Sequence, residues 1–253
     1  MLRRFFGFSS TSRPTETARV PDGRRIYAIG DIHGRADLLT ELYDMIRRDS
    51  EAAGDGKTMA VVHLGDYVDR GPQSREVIDM LLAPAVGIES VCLKGNHEDL
   101  MLAFLDGAET GRMWLHNGGN ATLASYGVPM IDYAGDDMPA QARQALAARL
   151  PPDHDEFLRG LKLMHMEGDY LFVHAGVRPG VDLARQDAGD LMWIRDAFLD
   201  ATEDHGKIIV HGHSIRPEVE LMPNRIGIDT GAFRSGRLTC LVLDGTSRRL
   251  LQT

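Results

Sequence analysis

The sequence predicts an α/β fold in which two mixed β-sheets face each other with helices on their outer sides, a four-layer α-β-β-α sandwich. Two observations carry this prediction. In the first hundred residues, short apolar runs alternate with segments in which apolar residues recur every three or four positions, as in parallel β-α-β units. After residue 160 the chain turns to short strands joined by tight turns, which indicates a second sheet. A chain of 253 residues, 43% of them hydrophobic, can bury such a core in one domain.

The first hundred residues predict three strands, each followed by a helix. The strands are runs of consecutive apolar residues, and the helices are segments with the helical apolar period. In chain order, strand and helix alternate at residues 25–30, 36–48, 59–64, 74–83, 88–93 and 98–105. Because a helix connects each strand to the next, we expect the three strands to run parallel.

The middle of the chain, residues 107–160, predicts a helical insertion beside the functional site. Its clearest helical segments are residues 140–150 and 155–163, and turn-forming residues dominate 127–139. Beyond it, two hairpins are predicted around the turns Glu-Gly-Asp and Pro-Asn. The strands of the second half are predicted, in order, at residues 161–166, 170–173, 208–210, 219–222, 225–228, 238–243 and 249–251.

The chain is predicted to consist of a flexible N-terminal tail, residues 1–22, and a single domain, residues 23–253. The first eight residues combine a basic start with three phenylalanines but lack the apolar core of a signal peptide, and weak contact of this tail with a membrane or a partner stays an alternative. No apolar run reaches the 18 residues of a membrane span. Cys92 and Cys240 lie in apolar strands without C-x-x-C spacing, which favours small buried thiols in a reducing cytoplasm.

The charge of the chain restricts its partners. Lys and Arg number 28 and Asp and Glu number 37, which gives a net charge of −9. This balance argues against nucleic acid or an anionic membrane as the main partner. It does not exclude a phosphate substrate, because bound cations and a few arginines set the local field.

Ligand-type residues follow five of the predicted strands directly. Because loops leave the carboxyl ends of neighbouring strands at one edge of a sheet, we expect these residues to converge. A single Asp in such a place is more often a helix cap, but repetition of Asp, Asn and His at successive strand ends favours one shared site. The segments are G-D-I-H-G at 30–34, G-D-Y-V-D-R-G at 65–71, G-N-H-E at 95–98, H-A-G at 174–176 and H-G-H-S at 211–214.

The first three segments together resemble the signature of the calcineurin-like metallophosphoesterases and, within them, the phosphoprotein phosphatases. Further segments resemble the small bacterial and phage-type serine/threonine protein phosphatases: W-L-H-N-G-G at 114–119, W-I-R at 193–195 and G-I-D-T-G at 227–231. The resemblance runs from about residue 25 to the end of the chain. It implies the four-layer fold and hydrolysis of phosphomonoesters by direct attack of a hydroxide that bridges two divalent metal ions.

The resemblance also implies which residues hold the two ions. It places Asp31 and His33 on the first ion, Asp66 between the ions, and Asn96, His174 and His213 on the second. Asp31 and His33 are two positions apart, so in an extended segment they point to the same side. The mixture of N and O ligands suits manganese, our main expectation, or iron or zinc. His211, two residues before His213, stays an alternative last ligand.

Four further residues have catalytic roles by the resemblance. His97 is expected to be the general acid for the leaving group, with Asp69 as the carboxylate that supports its protonated form. Arg70 and Arg195 are expected to bind phosphate oxygens, because the planar guanidinium can donate two parallel hydrogen bonds. A structural role for His97 and a surface salt bridge for Arg195 are the alternatives.

The leading functional hypothesis is a serine/threonine protein phosphatase of the cytoplasm, acting on a phosphorylated protein or a small phosphoester. Symmetrical hydrolysis of diadenosine tetraphosphate is the alternative within the same chemistry, and an inactive scaffold with the same fold is the alternative from another class. The charge of the insertion favours a single phosphoryl group, since its arginines are outnumbered by acidic residues. The arginines of the insertion are Arg112, Arg143, Arg149 and Arg159. The oligomeric state is left open.

Overall fold

The computed structural model of this chain describes residues 17–83, 88–107, 109–128 and 138–253. The elements of the first half lie close to their predicted positions. In chain order they are β1 (Arg24–Ile29), α1 (Ala36–Ala53), β2 (Thr58–His63), α2 (Ser74–Leu82), β3 (Glu89–Cys92) and α3 (Asn96–Leu105). Helix α1 ends at Gly54, whose φ of 55° is a left-handed conformation that glycine adopts without strain.

The segment predicted as an insertion is helical where the structure describes it. Its elements are α4 (Gly111–Trp114), a π-helical turn (Leu115–Gly119), α5 (Asn120–Ser125), α6 (Met138–Ala147) and α7 (Pro152–Arg159). Helix α7 begins and ends three to four residues earlier than predicted. Proline is favoured in the first helical turn, where its missing N–H costs nothing, and Gly160 follows the last helical residue. Most of the turn-rich stretch 127–139 lies outside the described residues.

The second half contains the remaining strands and three short α-helices. They are β4 (Met164–Glu167), β5 (Tyr170–Val173), α8 (Ala188–Trp193), α9 (Asp196–Leu199), β6 (Ile208–His211), β7 (Glu220–Leu221), β8 (Arg225–Gly227), α10 (Ala232–Ser235), β9 (Thr239–Asp244) and β10 (Ser247–Gln252). Strands β4 and β5 pair antiparallel, as do β7 and β8, so both predicted hairpins are present.

The first sheet has the strand order β10-β9-β1-β2-β3, with β1, β2 and β3 parallel as predicted. Ile29 is level with His63, and His63 is level with Cys92. The loops after β1, β2 and β3, which carry the segments at 30–34, 65–71 and 95–98, therefore leave the sheet at the same edge and in register. Strand β9 pairs antiparallel with β1, and β10 pairs antiparallel with β9. The last two strands therefore belong to the first sheet and not to the second sheet, which contains the two hairpins.

The second sheet has the order β4-β5-β6-β8-β7, and its strands β5, β6 and β8 are parallel. The two sheets pack face to face, and their shared core includes Ile26, Ala28, Val62, Tyr170, Phe172, Val210 and Ile226. Helices α1, α2 and α3 cover the outer face of the first sheet. Leu191 of α8 and Phe198 of α9 pack on the outer face of the second sheet. The predicted four-layer α-β-β-α sandwich is confirmed.

Part of the segment predicted as a flexible tail packs against the two sheets. Ala18 and Val20 are buried in the core between the sheets, and the N–H of Val20 donates to the carbonyl of Gly245 at 3.1 Å. The backbone N–H of Asp169 donates to the carbonyl of Arg19 at 2.9 Å. Ala18 and Val20 are two residues apart in the chain and both pack into the core. We therefore regard this stretch as part of the domain. Residues 1–16 of the predicted tail lie outside the described residues. Among the helices that are described, none has the length and apolar character needed to cross a membrane.

Candidate metal centre

Two groups of buried side chains meet at Asp66 where the strands of both sheets end. His33, Asp66 and His97 form one group, and Asp66, His174 and His213 form the other. Within each group the potential ligand atoms lie within 4.8 Å of one another. The two carboxylate oxygens of Asp66 face different groups, since Oδ2 is 3.4 Å from His33 Nε2 and Oδ1 is 3.4 Å from His174 Nε2. A carboxylate placed in this way can bridge two cations.

His33 and His174 present lone pairs to the Asp66 carboxylate. His33 Nδ1 lies 2.8 Å from the carbonyl oxygen of Val68, and His174 Nδ1 lies 2.9 Å from that of Leu64. A carbonyl only accepts, so in each neutral ring Nδ1 carries the hydrogen and Nε2 carries the lone pair. Burial lowers the pKa of His33 to about 3, because a charged imidazole loses its hydration there. Neutral imidazoles with a fixed tautomer are the form that binds metal ions.

The second group contains Asn96 as well. The side-chain oxygen of Asn96 lies 3.0 Å from His174 Nε2 and 2.8 Å from His213 Nδ1. His213 Nε2 is buried without a hydrogen-bond partner. Burial, with a smaller contribution from the neighbouring His174, lowers the pKa of His213 to about 2. His174 Nε2 carries a lone pair, because its Nδ1–H donates to Leu64, and this lone pair faces the Asn96 oxygen. A cation bound between the two atoms would satisfy both. The residues present therefore fit a divalent metal ion.

Asp31 lies beside the two groups but belongs to neither, which differs from the sequence-based assignment of Asp31 and His33 to one ion. The predicted extended segment is a turn, in which His33 has a φ of 46°. The Asp31 carboxylate accepts the backbone N–H of His213 at 3.2 and 3.0 Å, one distance for each oxygen. Burial, the nearby Asp229 and Asp66 raise its pKa well above the ordinary value. His97, which the resemblance places off the metals, is the third member of the first group.

His97 is held by Asp69. The Nδ1 of His97 lies 2.7 Å from Asp69 Oδ2, and its Nε2 lies 3.9 Å from Asp66 Oδ2. Burial lowers the pKa of His97, but Asp66 and Asp69 raise it further, so the net pKa lies above the ordinary value. Asp69 is itself fixed, because it accepts Trp114 Nε1 at 2.9 Å and Thr122 Oγ1 at 2.6 Å. The expected pairing of His97 with Asp69 is thus present in the structure.

The two expected arginines flank opposite groups. Arg70 Nη1 lies 2.7 Å from His33 Nε2, beside the first group. Arg195 is exposed at the start of α9, and its positive charge is among the causes that lower the pKa of His174 and of His213 in the second group.

His211 lies away from both groups. It is buried on the outer face of β6, with its ring 5.1 Å from that of Phe198, and its Nδ1 contacts the carbonyl oxygen of Gly212 at 3.1 Å. Since side chains alternate along a strand, His211 points to the opposite face from the site. Of the two histidines that the sequence left open, the structure brings His213 to the centre.

Glu98 is a residue whose role the sequence analysis did not foresee. One oxygen of its buried carboxylate accepts the N–H of Asp66 at 2.9 Å and of Gly95 at 2.9 Å. The other accepts the N–H of Tyr67 at 2.7 Å and of Val68 at 3.2 Å. This side chain ties the loop after β2 to the first turn of α3. The available signal was a glutamate directly after the Asn-His pair, because a carboxylate that becomes buried there requires several donors.

The backbone of the site adopts an unusual conformation. Five non-glycine residues have positive φ angles in the described part of the chain: His33, Asp66, Asp69, Arg70 and His213. All five are residues singled out above. Left-handed backbone costs a non-glycine residue about 1 kcal/mol or more, so the surrounding contacts hold these residues in place.

Comparison with known proteins agrees with this architecture. The model of the calcineurin-like phosphoesterase family matches residues 24–227. Serine/threonine-protein phosphatase 2 of Escherichia coli is 27% identical over 225 residues, which covers 85% of this chain and 91% of that protein. The symmetrical bis(5'-nucleosyl)-tetraphosphatase of Aromatoleum aromaticum is 34% identical over 158 residues, 61% of this chain but only 45% of that protein.

Solved structures show the same fold. A crystal structure named provisionally as a diadenosine tetraphosphatase has a TM-score of 0.62 and 20% identity, and the match covers 93% of this chain and 96% of that one. With the match over most of its length and two buried groups able to hold divalent ions, the chain belongs to the calcineurin-like phosphoesterase family and is a hydrolase.

Proposed function

We propose that this phosphoesterase is a metal-dependent serine/threonine protein phosphatase that hydrolyses phosphomonoesters. One observation carries the proposal: beside the shared Asp66, His97 is held at 2.7 Å by Asp69 and has a raised pKa. This arrangement suits proton delivery to a serine or threonine alkoxide, a leaving group that is too basic to depart alone. The similarity to the Escherichia coli serine/threonine phosphatase along most of both chains supports the same substrate class.

Two divalent ions are proposed as cofactors, with manganese as the main candidate and iron or zinc as alternatives. Asp66 would contact both ions, His33 the first, and His174, His213 and Asn96 the second. Asp31 is kept as a proposed ligand of the first ion because its carboxylate lies near that of Asp66. When bound, such ions lower the pKa of water and withdraw charge from a phosphoryl group.

The residues around the ions have proposed roles in binding and proton transfer. Arg70, beside the first group, and Arg195, near the second, would donate hydrogen bonds to phosphate oxygens. His97 would donate the proton from Nε2 to the leaving oxygen, while Asp69 holds Nδ1–H and stabilises the charged ring. Trp114 and Thr122 would keep the Asp69 carboxylate in the orientation that this requires.

Symmetrical diadenosine tetraphosphate hydrolysis is the second candidate function. It is favoured by the 34% identity to a tetraphosphatase. A polyphosphate chain needs several free cations, however, and Arg159 of the insertion is engaged with Asp106 at 2.8 Å and Asp155 at 3.0 Å, at the surface. We therefore favour a substrate with a single phosphoryl group. A single domain from residue 17 onward and a cytoplasmic location complete the proposal, in keeping with two free cysteines.

The test is side-by-side turnover of a phosphoserine peptide, p-nitrophenyl phosphate and diadenosine tetraphosphate. We expect chelation to abolish all activity and manganese to restore it, with a higher kcat/KM for the peptide than for the dinucleotide. Full activity after dialysis against excess chelator would contradict the metal assignment. A kcat/KM about tenfold higher for the dinucleotide would assign the protein to the nucleotide hydrolases and leave the metal assignment intact.

A further inference from the structure

Phe233 on α10 contacts two side chains at the first metal group: His33, a member of the group, and Arg70, which lies beside it. The Cζ of Arg70 lies 4.9 Å from the centre of the Phe233 ring, over its face. The ring centres of Phe233 and His33 are 5.5 Å apart with an angle of 83° between their planes. A guanidinium over an aromatic face is attracted by the electron-rich ring. Phe233 is half-buried, so part of the ring faces solvent at the edge of the site.

The position of this phenylalanine is itself fixed. Gly231 begins α10 with a φ of 69°, and its N–H donates to Asp229 Oδ1 at 2.9 Å. Arg35 Nη1 donates to the carbonyl oxygen of Ala232 at 3.0 Å, which ties α10 to the loop before α1. The ring is therefore presented from a constrained backbone.

The ring of Phe233 would still contact the Arg70 guanidinium if His33 bound a metal ion. His33 Nδ1 donates to Val68, so its ring has one lone pair, on Nε2, which Arg70 Nη1 meets at 2.7 Å. A single lone pair serves one partner at a time. A cation bound to that lone pair would leave none for Arg70 Nη1, whereas the contact with the face of the Phe233 ring uses no polar atom.

We propose that Phe233 is a positioning residue that holds the Arg70 guanidinium in the orientation for binding phosphate oxygens. The inference rests on the proposed function, since it assigns Arg70 to phosphate. The backbone of Arg70 is fixed by its N–H bond to Gly118 at 3.2 Å, but several side-chain torsions separate that backbone from the guanidinium. Ordering those torsions before the substrate arrives lowers the entropy lost on binding.

The test compares Phe233→Leu with the wild-type enzyme. We expect a roughly 3- to 10-fold rise in both the KM for a phosphopeptide and the inhibition constant of inorganic phosphate, the range that corresponds to one partly exposed cation–π contact. The kcat should change less, and bound metal should stay at the wild-type level. Phe233→Trp, which keeps an aromatic face, should retain tight binding of phosphate. Phe157→Leu, a half-buried phenylalanine packed on Tyr67, is the matched control and should leave phosphate inhibition unchanged.

A double-mutant cycle identifies the residue through which Phe233 acts. In an Arg70→Ala background, Phe233→Leu should have no further effect on phosphate inhibition, because the group that it positions is gone. An equal loss in both backgrounds, or unchanged phosphate inhibition in the single variant, would overturn the inference. If Phe233→Leu unfolds, the same cycle with Phe233→Trp and Phe233→Met decides. Wild-type turnover of p-nitrophenyl phosphate is measured first, so a failure of the proposed function is seen separately.

Discussion

At the scale of single residues, the geometry around His97 allows two competing roles, metal ligand and general acid. His97 lies in the first metal group, where its potential ligand atom is within 4.8 Å of those of His33 and Asp66. Its Nδ1 also pairs with Asp69 Oδ2 at 2.7 Å. A ligand and a general acid make different demands on Nε2, because a nitrogen bound to metal has no proton to deliver. The chemistry of the leaving group distinguishes the two roles.

We expect His97→Asn to lower kcat for a phosphoserine peptide by about two orders of magnitude, the usual contribution of general acid catalysis. The loss should be much smaller for p-nitrophenyl phosphate, whose leaving group departs without a proton. Metal analysis should find the wild-type content of metal in the variant. A missing ion together with equal losses for both substrates would make His97 a ligand instead of the acid.

Single residues also show the limit of sequence-based prediction. The carboxylates and histidines of the centre could be named because each directly follows an apolar strand. The hydrogen bonds from His213 to Asp31 could not be predicted, since they join positions far apart in the chain whose approach depends on both sheets. The choice between His211 and His213 also needed the structure, because only the path of the chain after β6 shows which side chain turns toward the centre.

At the scale of elements, the loop after β2 and the start of α3 behave as one unit because Glu98 joins them. Four backbone N–H groups converge on its two oxygens. The strand positions were predictable from apolar runs, as were the parallel order and the edge at which the loops meet. The connection that Glu98 makes between the loop and α3 could not be predicted, because it depends on backbone N–H donors, which almost every residue type supplies.

Glu98→Gln should destabilise the protein by on the order of 2–4 kcal/mol and weaken metal binding. The amide nitrogen would face two backbone donors in place of a carboxylate oxygen, leaving them buried without an acceptor. Asp99→Asn is the matched control, since it makes the same change of charge on the next residue, whose side chain is partly exposed and pairs with Lys94. Urea unfolding midpoints and metal titration measure both effects. Equal stability of the two variants would show that the hydrogen bonds of Glu98 do not stabilise the fold.

At the scale of the whole molecule, stability depends on pH through a buried histidine away from the centre. His63, at the end of β2, is fully buried, contacts the hydroxyl of Tyr43 at 2.8 Å, and has a pKa lowered to about 4 by burial. The unfolded chain, with an ordinary histidine pKa of about 6.5, takes up the proton first as the pH falls. The contribution of neutral His63 is therefore complete above about pH 6.5 and is lost as the pH falls toward 4.

The loss corresponds to on the order of 3 kcal/mol, so wild-type protein freed of metal should lose that much more stability between pH 7 and pH 4 than His63→Gln. Glutamine can still accept a hydrogen bond from Tyr43 and does not titrate. Replacement of the exposed His116 by glutamine is the control and should leave the pH dependence of wild type. Chemical unfolding at both pH values gives the difference directly, and parallel curves for wild type and His63→Gln would refute the role of His63.

The left-handed backbone at His33, Asp66, Asp69, Arg70 and His213 bears on how such a chain can change over time. Glycine would relieve the conformational strain at each of these positions, and none of the five side chains is needed to fill the core between the sheets. Glycine would, however, remove the carboxylate of Asp69, which pairs with His97, Trp114 and Thr122, and leave those groups buried without their acceptor. Any other residue would keep the left-handed strain. Such positions therefore admit few substitutions, whether or not a ligand is bound.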